Sequence, residues 1–205
     1  MVKVVQINVG GFDNNFSYLV LGEEKEAILI DATGNLKTIE KAIFEHKAKL
    51  ILALFTHSHP DHCELLPHFE SIGVKCFMPK ARPLAVTKNL RVAGIEIKVI
   101  HTPGHTKESV CFLIEKNLFT GDTLFVRGVG TTAYGGNDTE LEESLAFLST
   151  LDKKLLLWPG HDYGGASSTL KEALNNSHLK PSEKILELIK DKVKAYESKK
   201  GKNKF

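Results

Sequence analysis

Apolar positions along this chain switch between two periods. Val2 to Val9 is rich in β-branched residues and stops at Gly10-Gly11. Phe16 to Leu21 and Ala27 to Ile30 are apolar runs separated by the charged turn Gly22-Glu23-Glu24-Lys25, a spacing that predicts a hairpin. From Asn35 to Lys47 the spacing becomes helical, with Leu36, Ile39, Ile43 and Phe44 on one side. Leu50 to Phe55 is continuously apolar, the pattern of a strand buried on both faces.

The second half repeats the alternation. Val74 to Met78, Ile95 to Ile100, Val110 to Ile114 and Asn117 to Thr120 read as strands. A glycine-rich loop runs from Gly128 to Gly136. Helical spacing returns at Thr139, with Leu141, Leu145 and Leu148 along it, and Leu155 to Trp158 is a final strand. Ser182 is placed to cap a last helix whose stripe is Ile185, Leu186, Ile189 and Val193. Strand and helix blocks in both halves predict an α/β (α+β) protein in which two sheet-and-helix layers pack together. No repeat or low-complexity linker interrupts the chain, so residues 1–205 read as a single domain with a short C-terminal helix and basic tail after about residue 180.

Composition narrows this reading without redirecting it. The chain has 205 residues, 42% hydrophobic and 25% charged, with a formal net charge of +2. That is a globular balance, and no global charge points to nucleic acid. Basic residues gather from Lys190 to Lys204, where a solvated helix face and frayed tail are expected. Cys63, Cys76 and Cys111 form no CxxC pair, which fits a reducing compartment. The N-terminus lacks an apolar segment with a cleavage site, and no apolar run is long enough to span a bilayer. A cytoplasmic protein is expected.

The chemistry is concentrated where the buried strand Leu50 to Phe55 ends. Thr56-His57-Ser58-His59-Pro60-Asp61-His62 holds three imidazoles and a carboxylate. Such groups repel and resist desolvation unless something pairs with them, and a divalent metal does so. His57 and His59 leave the same side of an extended backbone, and Pro60 turns the chain so that Asp61 and His62 face a second point. Three more candidates follow other strands, each in a glycine-containing loop: His105 in Thr102-Pro103-Gly104-His105, Asp122 in Thr120-Gly121-Asp122, and His161 in Trp158-Pro159-Gly160-His161. Five histidines and two carboxylates suit Zn²⁺, Fe or Mn²⁺. Cys76 and Cys111 read as core residues. His46, His68 and His178 read as surface residues. His101 stays open between a strand surface and a support for a ligand.

These residues resemble the signature of the metallo-β-lactamase-fold hydrolase superfamily, T-H-x-H-x-D-H followed by a distant His, Asp and His. The resemblance spans most of the chain, from Leu29-Ile30-Asp31 to His161, and implies a four-layer αββα sandwich with the site at one edge. Thr-Pro-Gly-His-Thr and Phe119 to Phe125 look most similar to the hydroxyacylglutathione hydrolase (glyoxalase II) group. That implies a first metal on His57, His59 and His105, a second on Asp61, His62 and His161, and Asp122 between them, with Cys63 a bystander. Two divalent ions, zinc foremost, would then serve a binuclear hydrolase. It would cleave a small-molecule thioester or related ester with a metal-bound hydroxide, with Asp61 and Asp122 as the catalytic carboxylates. Tyr134 and Tyr163 are the candidate substrate contacts.

The departures are specific. The group's Cys-Gly-Lys/Arg segment is replaced by Val129-Gly130-Thr131-Thr132-Ala133-Tyr134. Only about forty residues follow His161, too few for the helical domain that completes a glutathione pocket. The metal chemistry is therefore expected to carry over, and the glutathione specificity is not. His161-Asp162-Tyr163-Gly164 with Ser167 to Leu170 is similar to mononuclear-iron persulfide dioxygenases of the same fold, which implies iron on His57, His105 and Asp122. A lactonase or other small-ester hydrolase is a further alternative. Nucleic-acid-processing relatives carry a large inserted domain for which this chain has no room.

Overall fold

The computed structural model describes residues 1–11 and 13–202, so Lys204, in the expected basic tail, lies outside the described residues. Two sheets face each other. The first has the order β1–β5 and comprises β1 (Lys3–Gly10), β2 (Asn15–Leu21), β3 (Glu26–Ile30), β4 (Lys49–Leu54) and β5 (Lys75–Phe77). The second runs β11-β10-β9-β8-β7-β6, with β6 (Ala85–Val92), β7 (Ile95–His101), β8 (Val110–Ile114), β9 (Asn117–Gly121), β10 (Leu156–Pro159) and β11 (Ser168–Thr169). Helices α1 (Leu36–Glu45), α2 (Pro60–Cys63) and α3 (Leu66–Ser71) belong to the first half. The second half has α4 (Asp138–Leu148), α5 (Leu170–Asn176) and α6 (Glu183–Lys202).

Period-two alternation explains the layering. On β2 and β3, Tyr18, Val20, Ile28 and Ile30 point between the sheets, where they meet Ile97 and Val99 of β7 and Phe112 of β8. Their neighbours Leu19 and Leu29 point the other way, onto Ile39 of α1 and Phe69 of α3. On the far sheet Cys111, Leu118 and Leu157 turn outward to Leu145 and Leu148 of α4 and Leu170 of α5. Three apolar layers between four structural layers make the αββα sandwich. Each large side chain sealed there contributes about 1.5–3 kcal/mol.

The predicted hairpin is present, with Tyr18 paired to Ile30 and Leu21 to Ala27. The strands at Val110–Ile114 and Asn117–Gly121 match their apolar runs. Helix α4 begins one residue before Thr139, because Asn137 caps it by accepting from the Glu140 N–H. The Ser182 hydroxyl accepts from the Ile185 N–H at the start of α6, and Ile189 is its buried stripe residue. One expectation fails: Phe44 is 83% exposed, because the stripe of α1 turns Ile39 inward and leaves Phe44 past its edge. Strand β6 was not anticipated. It is an edge strand carrying Asn89 and Arg91, too polar to show an apolar run.

Strands β3, β4 and β5 are mutually parallel, as are β9 and β10. Helices link these pairs, so the loops after β3, β4, β9 and β10 gather at the carboxyl ends of the strands, where open α/β sheets place their ligands.

Candidate metal centre

All seven sequence-predicted ligands meet at that end of the sandwich. His57 and His59 follow β4, His105 follows β7, Asp122 follows β9 and His161 follows β10. Asp61 and His62 lie on α2, which starts at Pro60, so the proline turns the chain at the first helical position. The ligand atoms form overlapping groups: His57, His59 and His105; Asp61, His62 and His161; and His57, His62 and Asp122. His105 Nε2 lies 3.3 Å from His57 Nε2 and 3.0 Å from His59 Nδ1. His62 Nε2 lies 3.1 Å from His161 Nε2, and Asp61 Oδ2 is 3.4 Å from His161. Asp122 touches both triads: Oδ1 is 3.2 Å from His62, and Oδ2 is 3.3 Å from His161 and 3.6 Å from His105.

The partners of the other ring nitrogens decide what these short distances mean. His105 Nδ1 donates to the Thr131 carbonyl at 2.7 Å, and His161 Nδ1 to the Asp13 carbonyl at 2.8 Å. His62 Nδ1 donates to Asp31 Oδ2 at 3.1 Å. The Thr56 hydroxyl gives its hydrogen to Asp31 Oδ2 at 2.7 Å, so its lone pair takes the Nδ1–H of His57 at 3.1 Å. Four imidazoles thus spend their N–H on oxygen acceptors and aim bare Nε2 lone pairs at one another. Lone pairs at that spacing repel unless a cation or a proton sits between them. Asp122 Oδ1 is buried without a hydrogen-bond partner of acceptable geometry, an acceptor likewise left for a cation. The donor set fits one or two divalent metal ions.

Charge is divided unevenly. Burial, with neighbouring imidazoles, pushes His57 well below its ordinary pKa and lowers His105. Burial opposes the charged form of His62 too, yet Asp122 and Asp31 outweigh it and raise that pKa well above normal. His161 is likewise opposed by burial but raised to about 10 by Asp122 and Asp61. Asp61 is lowered by its contact with His161. Asp122, though its burial opposes the charged form, is held well below the carboxylate range by His62 and His161.

Glycines make room for the ligands and their supports. A Cβ on Gly160 would collide with Asp122 Oδ1 and come within 2.6 Å of His62 Cε1. Gly121, at φ +48°, would place a Cβ 2.5 Å from the Thr56 hydroxyl. Three supporting residues escaped sequence reading. Asp31 closes β3 at φ +53°, a left-handed conformation that is costly for a non-glycine residue. It is buried and also accepts from the Thr56 N–H at 2.7 Å. Its only signal was an acid ending a buried apolar run. Asn15 donates to the Asp61 carbonyl at 2.8 Å and Asp61 Oδ2 at 3.2 Å. Asp13 holds His161.

The remaining candidates fall outside the ligand set. The Cys63 thiol turns to the carbonyls of Ser58 and His59. Cys111 is buried, and Cys76 is half-buried against the outer layer of the first sheet. His178 is exposed, while His46 and His68 are half-buried. His101 is buried with Nδ1 unpartnered, so it is no strand-surface residue. Tyr163 stacks on His161 with ring centroids 5.3 Å apart, and its hydroxyl donates to the Asp13 carboxylate. Tyr134 is 75% exposed, in the loop that carries Thr131.

Comparison with known proteins agrees with this geometry. A probable hydroxyacylglutathione hydrolase of Schizosaccharomyces pombe is 32% identical over 75% of this chain and 66% of its own length. The hydroxyacylglutathione hydrolase of Xylella fastidiosa (strain M12) is 30% identical over 90% of this chain and 72% of its own. The chain thus matches roughly two thirds to three quarters of the length of these curated relatives. Among solved structures, ETHE1 from Myxococcus xanthus aligns with a TM-score of 0.74 at 25% identity, covering 92% of this chain and 90% of that one. The metallo-beta-lactamase superfamily model matches residues 10–75 and 84–161, which include every candidate ligand, and the chain belongs to that superfamily.

Proposed function

We propose that this protein is a binuclear metallohydrolase that cleaves a small-molecule thioester or related ester, in the manner of its hydroxyacylglutathione hydrolase relatives. The observation that carries the reading is Asp122, whose two oxygens reach His62, His161 and His105 and so span both triads. His57, His59 and His105 would hold one ion, Asp61, His62 and His161 the other. Divalent ions bound there, zinc foremost and iron or manganese next, supply a Lewis acid and lower the pKa of a coordinated water to about 7.

The chain's own residues set the rest. His59 and Asp61 are the partly exposed members of the two triads, so the open side of the centre lies at these two residues. Asp61, with its carboxylate 34% exposed, orients the attacking water. Asp122 fixes the spacing between the halves. A thiolate leaves without help from an acid, which fits a centre with no separate general acid. Tyr163, anchored by Asp13 and stacked on His161, walls one side, and Tyr134 reaches the substrate from the loop after Thr131. Among the described residues no helix is long and apolar enough to cross a membrane, and three free cysteines fit a reducing cytoplasm.

The test is elemental analysis of the purified chain with turnover of a hydroxyacylglutathione thioester, an unrelated thioester, a lactone and glutathione persulfide. Two metal ions per chain with thioester hydrolysis is the expected result. The likeness to ETHE1 along nearly the full length of both chains favours keeping the persulfide dioxygenase reading as the alternative. One iron per chain with oxygen uptake on the persulfide would establish that reading and sink the hydrolase.

A further inference from the structure

The geometry points to Asn15 as the positioning residue that sets how many metal ions the centre holds. This rests on the binuclear reading above. Asn15 opens β2 and is 1% exposed. Its Nδ2 donates both to the Asp61 carbonyl and to Asp61 Oδ2. Its main chain bridges to His161, and the N–H of the next residue, Phe16, donates to the Gly160 carbonyl at 2.9 Å. A single position therefore holds two of the three ligands of the second triad. The other triad is held by Thr56 and Thr131, with no hydrogen bond to Asn15.

The orientation of the amide argues that this contact is what Asn15 is kept for. Turning the amide over would set Oδ1 against two oxygens of Asp61. As it stands, Asn15 Oδ1 is buried without a partner. A buried amide serving the fold alone is paired at both ends, whereas this one leaves its acceptor idle and spends its donor on Asp61. The Asp61 carboxylate is one-third exposed, and the histidines of its own triad are its other neighbours. Without Asn15 it is free to swing toward water, and the second triad loses its carboxylate.

The test is metal stoichiometry and cobalt titration of wild type, Asn15→Ala and Asn15→Leu, the last keeping the side-chain volume should alanine prevent folding. The expected result is about two ions per wild-type chain and about one in the variants. Affinity at the second position should be about 10–100-fold weaker, with the cobalt spectrum of the three-histidine position unchanged. Variants that keep both ions at unaltered affinity, or that lose both together, overturn the assignment. A wild-type chain holding one ion overturns the binuclear reading itself, so the two failures are told apart.

Discussion

His57 and His105 take their support from Thr56 and Thr131, residues of their own or the adjacent loops. Asp61, His62 and His161 take theirs from Asn15, Asp31 and Asp13, which lie at the ends of the first strands and in the turn between them. The electrostatics divide along the same line, with His57 and His105 lowered in pKa and His62 and His161 raised. One half of the centre is thus neutral and the other charged, and the charged half leans more heavily on the first part of the chain. Two positions of similar composition need not be equally robust.

The change expected to do most damage ignores that division. Asp122→Ala removes the carboxylate common to both halves and leaves only Asp61 and Asp31, both on the second half, to face five imidazoles. Both ions should be lost and hydrolysis should fall by more than the 10–100-fold typical of a supporting residue. Far-ultraviolet circular dichroism should stay native. Full turnover in a folded Asp122→Ala protein would contradict the role given to this residue.

Asp31→Asn comes next. Asp31 reaches His62 directly and His57 only through Thr56, so the second position should weaken by about 10–100-fold and the first by less. Competitive chelation read for each ion separately gives the two numbers. Equal weakening would erase the distinction between the halves.

The smallest effect is in pH. Without metal, the carboxylates that raise His62 and His161 keep a proton between their facing Nε2 atoms at neutral pH, which an incoming ion must displace. Affinity at the second position should therefore rise with pH through the neutral and mildly alkaline range, by about tenfold per unit for each proton displaced. His57 and His105 are already neutral there, so the first position should change little. Cobalt titrations at several pH values, with proton release followed, make the comparison. Parallel slopes at both positions would show the charge asymmetry to be absent in solution.

How much of this was legible in the sequence depended on what each residue needs nearby. The seven candidate ligands stand out because metal-binding side chains cluster in Thr56 to His62 and recur beside glycines that the crowded centre requires, as at Gly160. The sandwich was legible because buried strands leave apolar runs. Asp31, Asn15 and Asp13 were not. Each is a single polar residue at a strand end or turn, a place where such residues are common for local reasons. Only the fold reveals that their partners lie far along the chain. Strand β6 was hidden for the opposite reason, since an edge strand need not be apolar. Phe44 shows that helical spacing locates a stripe without fixing how far round it extends.

The split origin of the ligands carries a last consequence. In each triad the loop after β4, on one sheet, faces a histidine presented by the other sheet: His105 in one case, His161 in the other. Any ion seated there is a rivet through both halves of the sandwich, closing loops of tens of residues much as a covalent cross-link would. Loading should raise the resistance of the whole molecule to heat and denaturant, and chelation should first loosen the seam at this end, where hydrogen exchange would register the parting of the two sheets.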